Sequence, residues 1–263
     1  APAAAQLQIT PPVATPGAVP EKQKPKPAPA AKKEAAPAPK PSASPKPAAS
    51  PKPALPATVI PAPAADNPNV DLVFGAYQRG QYKTAFDLAT ARAQAGDPKA
   101  MTMLGELYSN AMGIKRDYAK ALEWYKRASD AGDREAMFAL AMMRIAGRGG
   151  PVDKGEAVKL MASAAKLGEP KAAYNLALLY LDGQTLPQDV KRSAELLRQA
   201  ADAGNPEAQY ALATFYKEGT GVEKDLEKAA RLLQAAALAD NVDAEVEYAI
   251  ALFNGTGTPR NPP

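Results

Sequence analysis

The chain has no cysteine and no histidine in 263 residues. Disulfides and thiol chemistry are therefore excluded. So are histidine acid–base catalysis and His/Cys zinc sites. It has one tryptophan and five phenylalanines. No run of about 18 apolar residues occurs, so no stretch has the composition of a membrane-spanning helix. No cofactor or metal is expected. The absence of cysteine also suits export, although it does not fix a compartment.

What is present falls into two materials. Residues 1–68 hold 19 of the 27 prolines, and eight lysines against Glu21, Glu34 and Asp66 give them a net charge of +5. Proline blocks helix and ladder bonding, and large apolar residues are scarce here, so the segment is expected to be disordered. Its bias is toward polyproline II, a semi-rigid spacer. At about 3.1 Å per residue, some 50 residues would reach on the order of 150 Å. The plain reading is a solvated linker. The sharper one is that its lysines touch anionic cell-wall polymers or lipid head groups. The chain opens Ala1-Pro2-Ala3-Ala4-Ala5 without Met. That fits a cleaved secretory signal, and equally an arbitrary boundary.

Residues 69–263 carry a net charge of −1 and a repeat. Gly96, Gly132, Gly168 and Gly204 lie 36 apart, and Asp240 opens a degenerate fifth copy. Ala100, Ala136, Ala172, Ala208 and Ala244 follow in register. So do Leu104, Leu140, Leu176, Leu212 and Tyr248. A fixed period of this size marks a solenoid of helix pairs. Asp97-Pro98 and Asn205-Pro206 are N-cap and first-turn chemistry, and Glu169-Pro170 is a poorer cap. Ala100, Leu104, Leu107 and Tyr108 share one face at helical spacing. A glycine loop follows, marked by Gly113, Gly149, Gly183, Gly219 and Gly255. The second helix opens at Asp117, Asp153, Asp189 and Asp225. Small residues recur inside it, at Ala121, Ala157, Ser193 and Ala229, and let neighbouring helices approach closely. Residues 69–95 read as an N-terminal helix pair outside the 36-residue register. Copies open near 96, 132, 168, 204 and 240, the last incomplete.

Gly-Asp/Asn-x-x-Ala-x-x-x-Leu-Gly/Ala-x-x-Tyr, a glycine loop, then Asp-x-x-x-Ala resembles the Sel-one-like repeat (SLR) family, relatives of the tetratricopeptide repeats. The resemblance covers roughly residues 96–260. Arg144 departs from it in copy two, and copy five lacks its glycine and leucine. The resemblance implies an all-α fold: a right-handed α-solenoid of antiparallel helix pairs. It also implies a non-enzymatic adaptor, often in bacterial envelopes or signalling complexes. Cysteine-stapled relatives described as hydrolases or drug-binding proteins do not transfer to a chain without cysteine.

By analogy with tetratricopeptide repeats, a partner would lie on the concave face lined by the first helices. The candidate residues are Thr102, Phe138, Tyr174, Tyr210 and Val246, with Glu106, Met142, Leu178 and Thr214 one turn on. Lys99, Glu135, Lys171, Glu207 and Asp243 lie near their edge. Phe138, Tyr174 and Tyr210 are the anchors, since aromatics dominate interface energetics; the competing reading is that they pack the core. Arg148-Gly149-Gly150-Pro151 and Gln184-Thr185-Leu186-Pro187 are the loops that differ most.

The repeated aspartates are explained as caps, which leaves no paired carboxylates for a hydrolase. Gly147-Arg148-Gly149-Gly150 lacks the Gly-Lys-Ser/Thr of a phosphate loop. Bases and acids are interspersed, unlike a nucleic-acid footprint. The expected function is an adaptor or scaffold in the bacterial cell envelope, periplasmic or otherwise exported, with a protein partner. A peptidoglycan-associated role through the tail is the alternative, and a carboxylate hydrolase ranks last. A cytoplasmic location conflicts with nothing in the sequence. Asn261 falls where the next cap belongs, and Val246, Ile250, Leu252 and Phe253 lack a covering helix. The expectation is that a further helix or another chain covers that end.

Overall fold

The computed structural model describes residues 71–261. The spacer expected over residues 1–68 lies outside them. Eleven helices and no strand occur among the described residues. They are α1 (Leu72–Gln78), α2 (Tyr82–Gln94), α3 (Pro98–Asn110), α4 (Tyr118–Asp130), α5 (Arg134–Ala146) and α6 (Lys154–Lys166). There follow α7 (Pro170–Asp182), α8 (Val190–Asp202), α9 (Pro206–Glu218), α10 (Leu226–Leu238) and α11 (Val242–Asn254). Each helix packs mainly on the one before it and the one after it. This is the pattern of an α-solenoid of helix pairs.

The caps do what the sequence predicts. Asp133 accepts from Ala136 N at 2.8 Å, Asn205 from Ala208 N at 2.7 Å and Asn241 from Ala244 N at 2.9 Å. At the second helices, Asp117, Asp153, Asp189 and Asp225 accept from Lys120, Glu156, Arg192 and Lys228 at 2.9–3.0 Å. Glu169 is the weaker cap, reaching Lys171 N at 3.4 Å. Burial pushes its carboxyl up, against the pull of that backbone N–H.

A second tie joins the two helices of each pair. The backbone N–H of Asp117 donates to the carbonyl of Tyr108 at 3.1 Å. Asp153 to Arg144, Asp189 to Tyr180, Asp225 to Tyr216 and Asn261 to Leu252 repeat it at 2.9–3.0 Å. The bond uses only backbone, so Arg144 and Leu252 keep it without the tyrosine.

The loop glycines occupy two registers, and one sequence expectation needs correction. Gly147, Gly183, Gly219 and Gly255 end the first helices in the left-handed conformation, with Ala111 taking that place in copy one. Gly113, Gly149, Gly221 and Gly257 lie two residues further, with Thr185 in copy three. They touch the start of the preceding second helix: a Cβ on Gly221 would sit 2.8 Å from the Val190 carbonyl oxygen. The N-terminal pair is only half out of register. Tyr82–Gln94 begins 36 residues before Tyr118, so α2 is an ordinary second helix. The offset belongs to α1, joined to α2 by Arg79-Gly80-Gln81 alone.

The small residues of the second helices are the deepest in the core. Ala121, Ala157 and Ser193 are fully buried, and Ala229 nearly so. The Ser193 hydroxyl has no hydrogen-bond partner. An unpaired buried hydroxyl costs about 1–3 kcal/mol. Ser193→Ala, which gives copy three its neighbours' residue, is expected to stabilise the protein by about 1 kcal/mol. A urea midpoint that stays put or falls would show that the hydroxyl has a partner in solution.

Candidate functional site

The candidate row sits on the first helices, at two registers of the repeat one turn apart. The structure distributes its members among three situations. Thr102 and Glu106 are tied to other helices. The Thr102 hydroxyl donates to Asp133 Oδ1 at 3.1 Å and to Pro98 O at 3.0 Å. Glu106 Oε1 accepts from the Tyr77 hydroxyl at 2.8 Å. Burial first, then the Glu106 bond and charge, push the Tyr77 phenol well above its ordinary value.

Phe138, Met142, Tyr174 and Tyr210 are half-buried, packed against the core on one side. The Tyr210 hydroxyl donates to Glu247 Oε1 at 3.1 Å, and Lys217 Nζ donates to Glu247 Oε2 at 2.6 Å. Burial and the Glu247 carboxylate push the Tyr210 phenol up to about 12. Burial and the Glu207 charge raise Tyr174 too. Both phenols are therefore neutral hydrogen-bond donors at any physiological pH. Thr214 is half-buried, its hydroxyl turned back to the Tyr210 carbonyl at 3.3 Å.

Leu178 and Val246 are the extremes. Leu178 is 4 % exposed and belongs to the core, which corrects its place in a contact row. Val246 is 57 % exposed. The two stand at different registers: Leu178 aligns with Glu106, Met142 and Thr214, and Val246 with Thr102, Phe138, Tyr174 and Tyr210. At the second of these, Thr102 and Tyr210 reach the neighbouring first helices through Asp133 and Glu247. Ion pairs run along the same seam. Lys99 bridges Asp133 at 2.9 Å and Glu135 at 3.1 Å, and Arg134 lies 3.7 Å from Glu169. Burial opposes the Lys99 charge, but the Asp133 and Glu135 bonds outweigh it and hold its pKa up.

Sequence reasoning did not show these ties. Nothing in a single repeat shows that Glu106 meets Tyr77, because their pairing crosses from one helix pair to the next.

Among the described residues no group of three or more His, Cys, Asp or Glu side chains is arranged to hold a metal ion. None of the described helices is long and apolar enough to cross a membrane. The cap aspartates spend Oδ1 on backbone N–H groups, and Oδ2 of Asp97, Asp117, Asp133 and Asp225 pairs with a nearby cation.

These features define an all-helical repeat protein built of stacked helix pairs. The chain belongs to the Sel1 repeat family. The family model matches residues 98–133, 134–169, 170–205, 206–241 and 242–263. Proteins of this family are in general protein-interaction scaffolds. The chain is similar to a Sel1 repeat protein from Oxalobacter formigenes, with 25% identity and a TM-score of 0.63. That match covers 72% of this chain and 75% of the other. It is also similar to a protective antigen present in uropathogenic Escherichia coli strains that displays an SLR fold, with 29% identity and a TM-score of 0.61. That match covers 68% of this chain but 38% of the antigen, so this chain spans well under half its length. No curated protein sequence matches.

Proposed function

We propose that this chain is a non-enzymatic adaptor of the bacterial cell envelope, acting in the periplasm or beyond, that holds a protein partner on the row of its first helices. One observation carries the reading. Three consecutive first helices present an aromatic ring at the same register, Phe138, Tyr174 and Tyr210, each fixed against the core on one side. Rings held in this way lose little entropy on binding, and aromatic anchors dominate interface energies. The Glu207 and Glu247 carboxylates beside the two tyrosines favour a partner with a basic or hydrogen-bond-donating segment. Residues 1–68 supply reach, and their eight lysines supply charge.

The test is capture from detergent-solubilised envelope by the full chain, beside a Phe138→Ala/Tyr174→Ala/Tyr210→Ala variant. A partner captured by the unaltered chain is expected to bind the variant at least ten-fold more weakly. Circular dichroism melts check that the variant is folded, and Tyr210→Phe, which keeps the ring, should retain most of the affinity. Equal capture by both chains would remove the row from the function. Co-sedimentation with purified sacculi that disappears on deleting residues 1–68, with no partner on the repeats, would move the function to the tail.

A further inference from the structure

The loops that join first helix to second lie along one edge of the stack, each resting on the start of the preceding second helix. Gly113 meets Tyr82, Gly149 meets Tyr118, Gly221 meets Val190 and Gly257 meets Leu226. A Cβ on Gly149 would overlap the Tyr118 carbonyl, and its φ of +77° is left-handed, so glycine alone permits the approach. That approach carries Arg148 across from its own loop to the Tyr118 ring, where its guanidinium lies 5.7 Å from the centroid. Arg116, from the loop before, lies over the same ring at 5.7 Å. Two loops of different copies thus share one aromatic platform.

The charge gathered there is uncompensated. Lys115, Arg116 and Arg148 are exposed, and none pairs with an acid among the described residues. The acids of these two loops are the caps Asp117 and Asp153, whose Oδ1 atoms accept from backbone N–H groups. A third guanidinium adds to the charge. Arg144 stands where copies one, three and four have Tyr108, Tyr180 and Tyr216. Its Nη1 lies 3.4 Å from the place of a Cβ on Gly150, and its Nε is buried without a hydrogen-bond partner.

We infer that the loop edge of copies one and two docks an acidic segment of a partner protein, whose carboxylates pair with Arg116 and Arg148 on either loop. A guanidinium fork matches a carboxylate through two parallel hydrogen bonds. Stacking on Tyr118 holds both forks in place, so little freedom is lost on binding. The rest of the edge selects the occupant. Further along, Asp182, Glu218, Glu223 and Glu227 lie among Lys191, Lys224 and Lys228. A flat anionic membrane would meet those acids too, and like charges across an interface are unfavourable. A short acidic segment confined to copies one and two avoids them. The site does not depend on the aromatic row, and either could fail without the other.

The experiment uses the full chain and two synthetic peptides of serine and alanine, one with aspartate at every third position and the other with asparagine there. Fluorescence anisotropy should give the aspartate peptide a Kd about ten-fold lower, with the gap shrinking at high salt. Arg116→Gln/Arg148→Gln, at two exposed positions and checked for folding by circular dichroism, should remove most of that gap. Lys126→Gln/Lys166→Gln removes the same charge from exposed positions further along α4 and α6 and should leave most of it. The lysines of residues 1–68 are the same in every variant, so their attraction cancels. The Phe138/Tyr174/Tyr210 triple alanine variant should bind the aspartate peptide as the unaltered chain does. Equal affinity for the two peptides overturns the inference. So does an equal loss in the lysine control, which would make net charge the whole effect. Binding to phosphatidylglycerol vesicles that the arginine variant abolishes, while its peptide affinity stays unchanged, would make a membrane the occupant and overturn it as well.

Discussion

Gly105→Ala should destabilise the first repeat by about 2 kcal/mol, although alanine is the better helix former. On propensity alone the change gains about 1 kcal/mol. Packing reverses the sign. A Cβ on Gly105 would lie 2.7 Å from two ring carbons of Tyr125, and that ring is 6 % exposed with little room to yield. Overpacking of this kind costs about 1–3 kcal/mol before any relaxation. The repeats contain the control. Copies two, three and four place Ala141, Ala177 and Ala213 at this register, opposite Met161, Leu197 and Leu233. Alanine goes with the slimmer side chain and glycine with tyrosine. Gly105→Ala/Tyr125→Leu should therefore recover most of the loss, within about 1 kcal/mol of the unaltered chain, giving a positive coupling in a double-mutant cycle. Trp124, the only tryptophan, lies next to Tyr125 and reports this repeat directly by fluorescence in urea. A neutral or stabilising Gly105→Ala would mean that the ring moves aside freely.

The second large effect is at Asp133. Its carboxylate caps α5 through Ala136 N at 2.8 Å. It also accepts from the Thr102 hydroxyl at 3.1 Å and pairs with Lys99 at 2.9 Å. Its side chain is 3 % exposed, unlike the Asp97 cap at 24 %. Loss of a cap costs about 1 kcal/mol. Leaving Thr102 and Lys99 without this partner adds to it, because a truncated network strands its remaining members. Asp133→Ala is expected to cost about 2–3 kcal/mol, and Asn205→Ala, a simpler cap, about 1 kcal/mol. Asp133→Asn keeps the cap and an oxygen for Thr102 and should lie between. The order of the three urea midpoints is the readout; equal losses at Asp133 and Asn205 would show that the tie between α3 and α5 contributes nothing.

Both cases bear on the candidate row. Thr102 lies at the register proposed for partner contact, yet its hydroxyl helps hold α3 to α5. Glu106 likewise joins α3 to α1 through Tyr77. Substituting either would disturb the stacking of repeats as well as any binding. Phe138, Tyr174 and Tyr210 are the cleaner test positions, with Tyr210→Phe the most conservative.

The sequence by itself determined what is local. Helix starts follow from Asp, Asn and Pro because a cap is a bond between residues two or three apart. The 36-residue period follows because every copy must present the same small and large residues to its neighbours. The poor cap at Glu169 was readable for the same reason. Only the tertiary structure decided what depends on the facing helix. It put Leu178 in the core and left Val246 open. It joined Glu106 to Tyr77 and Tyr210 to Glu247 across helix pairs. It gave Gly105 its reason in a ring 20 residues away. Periodicity tells which face a side chain is on. What stands opposite, and how much space it leaves, is set by packing between residues that the local pattern does not link.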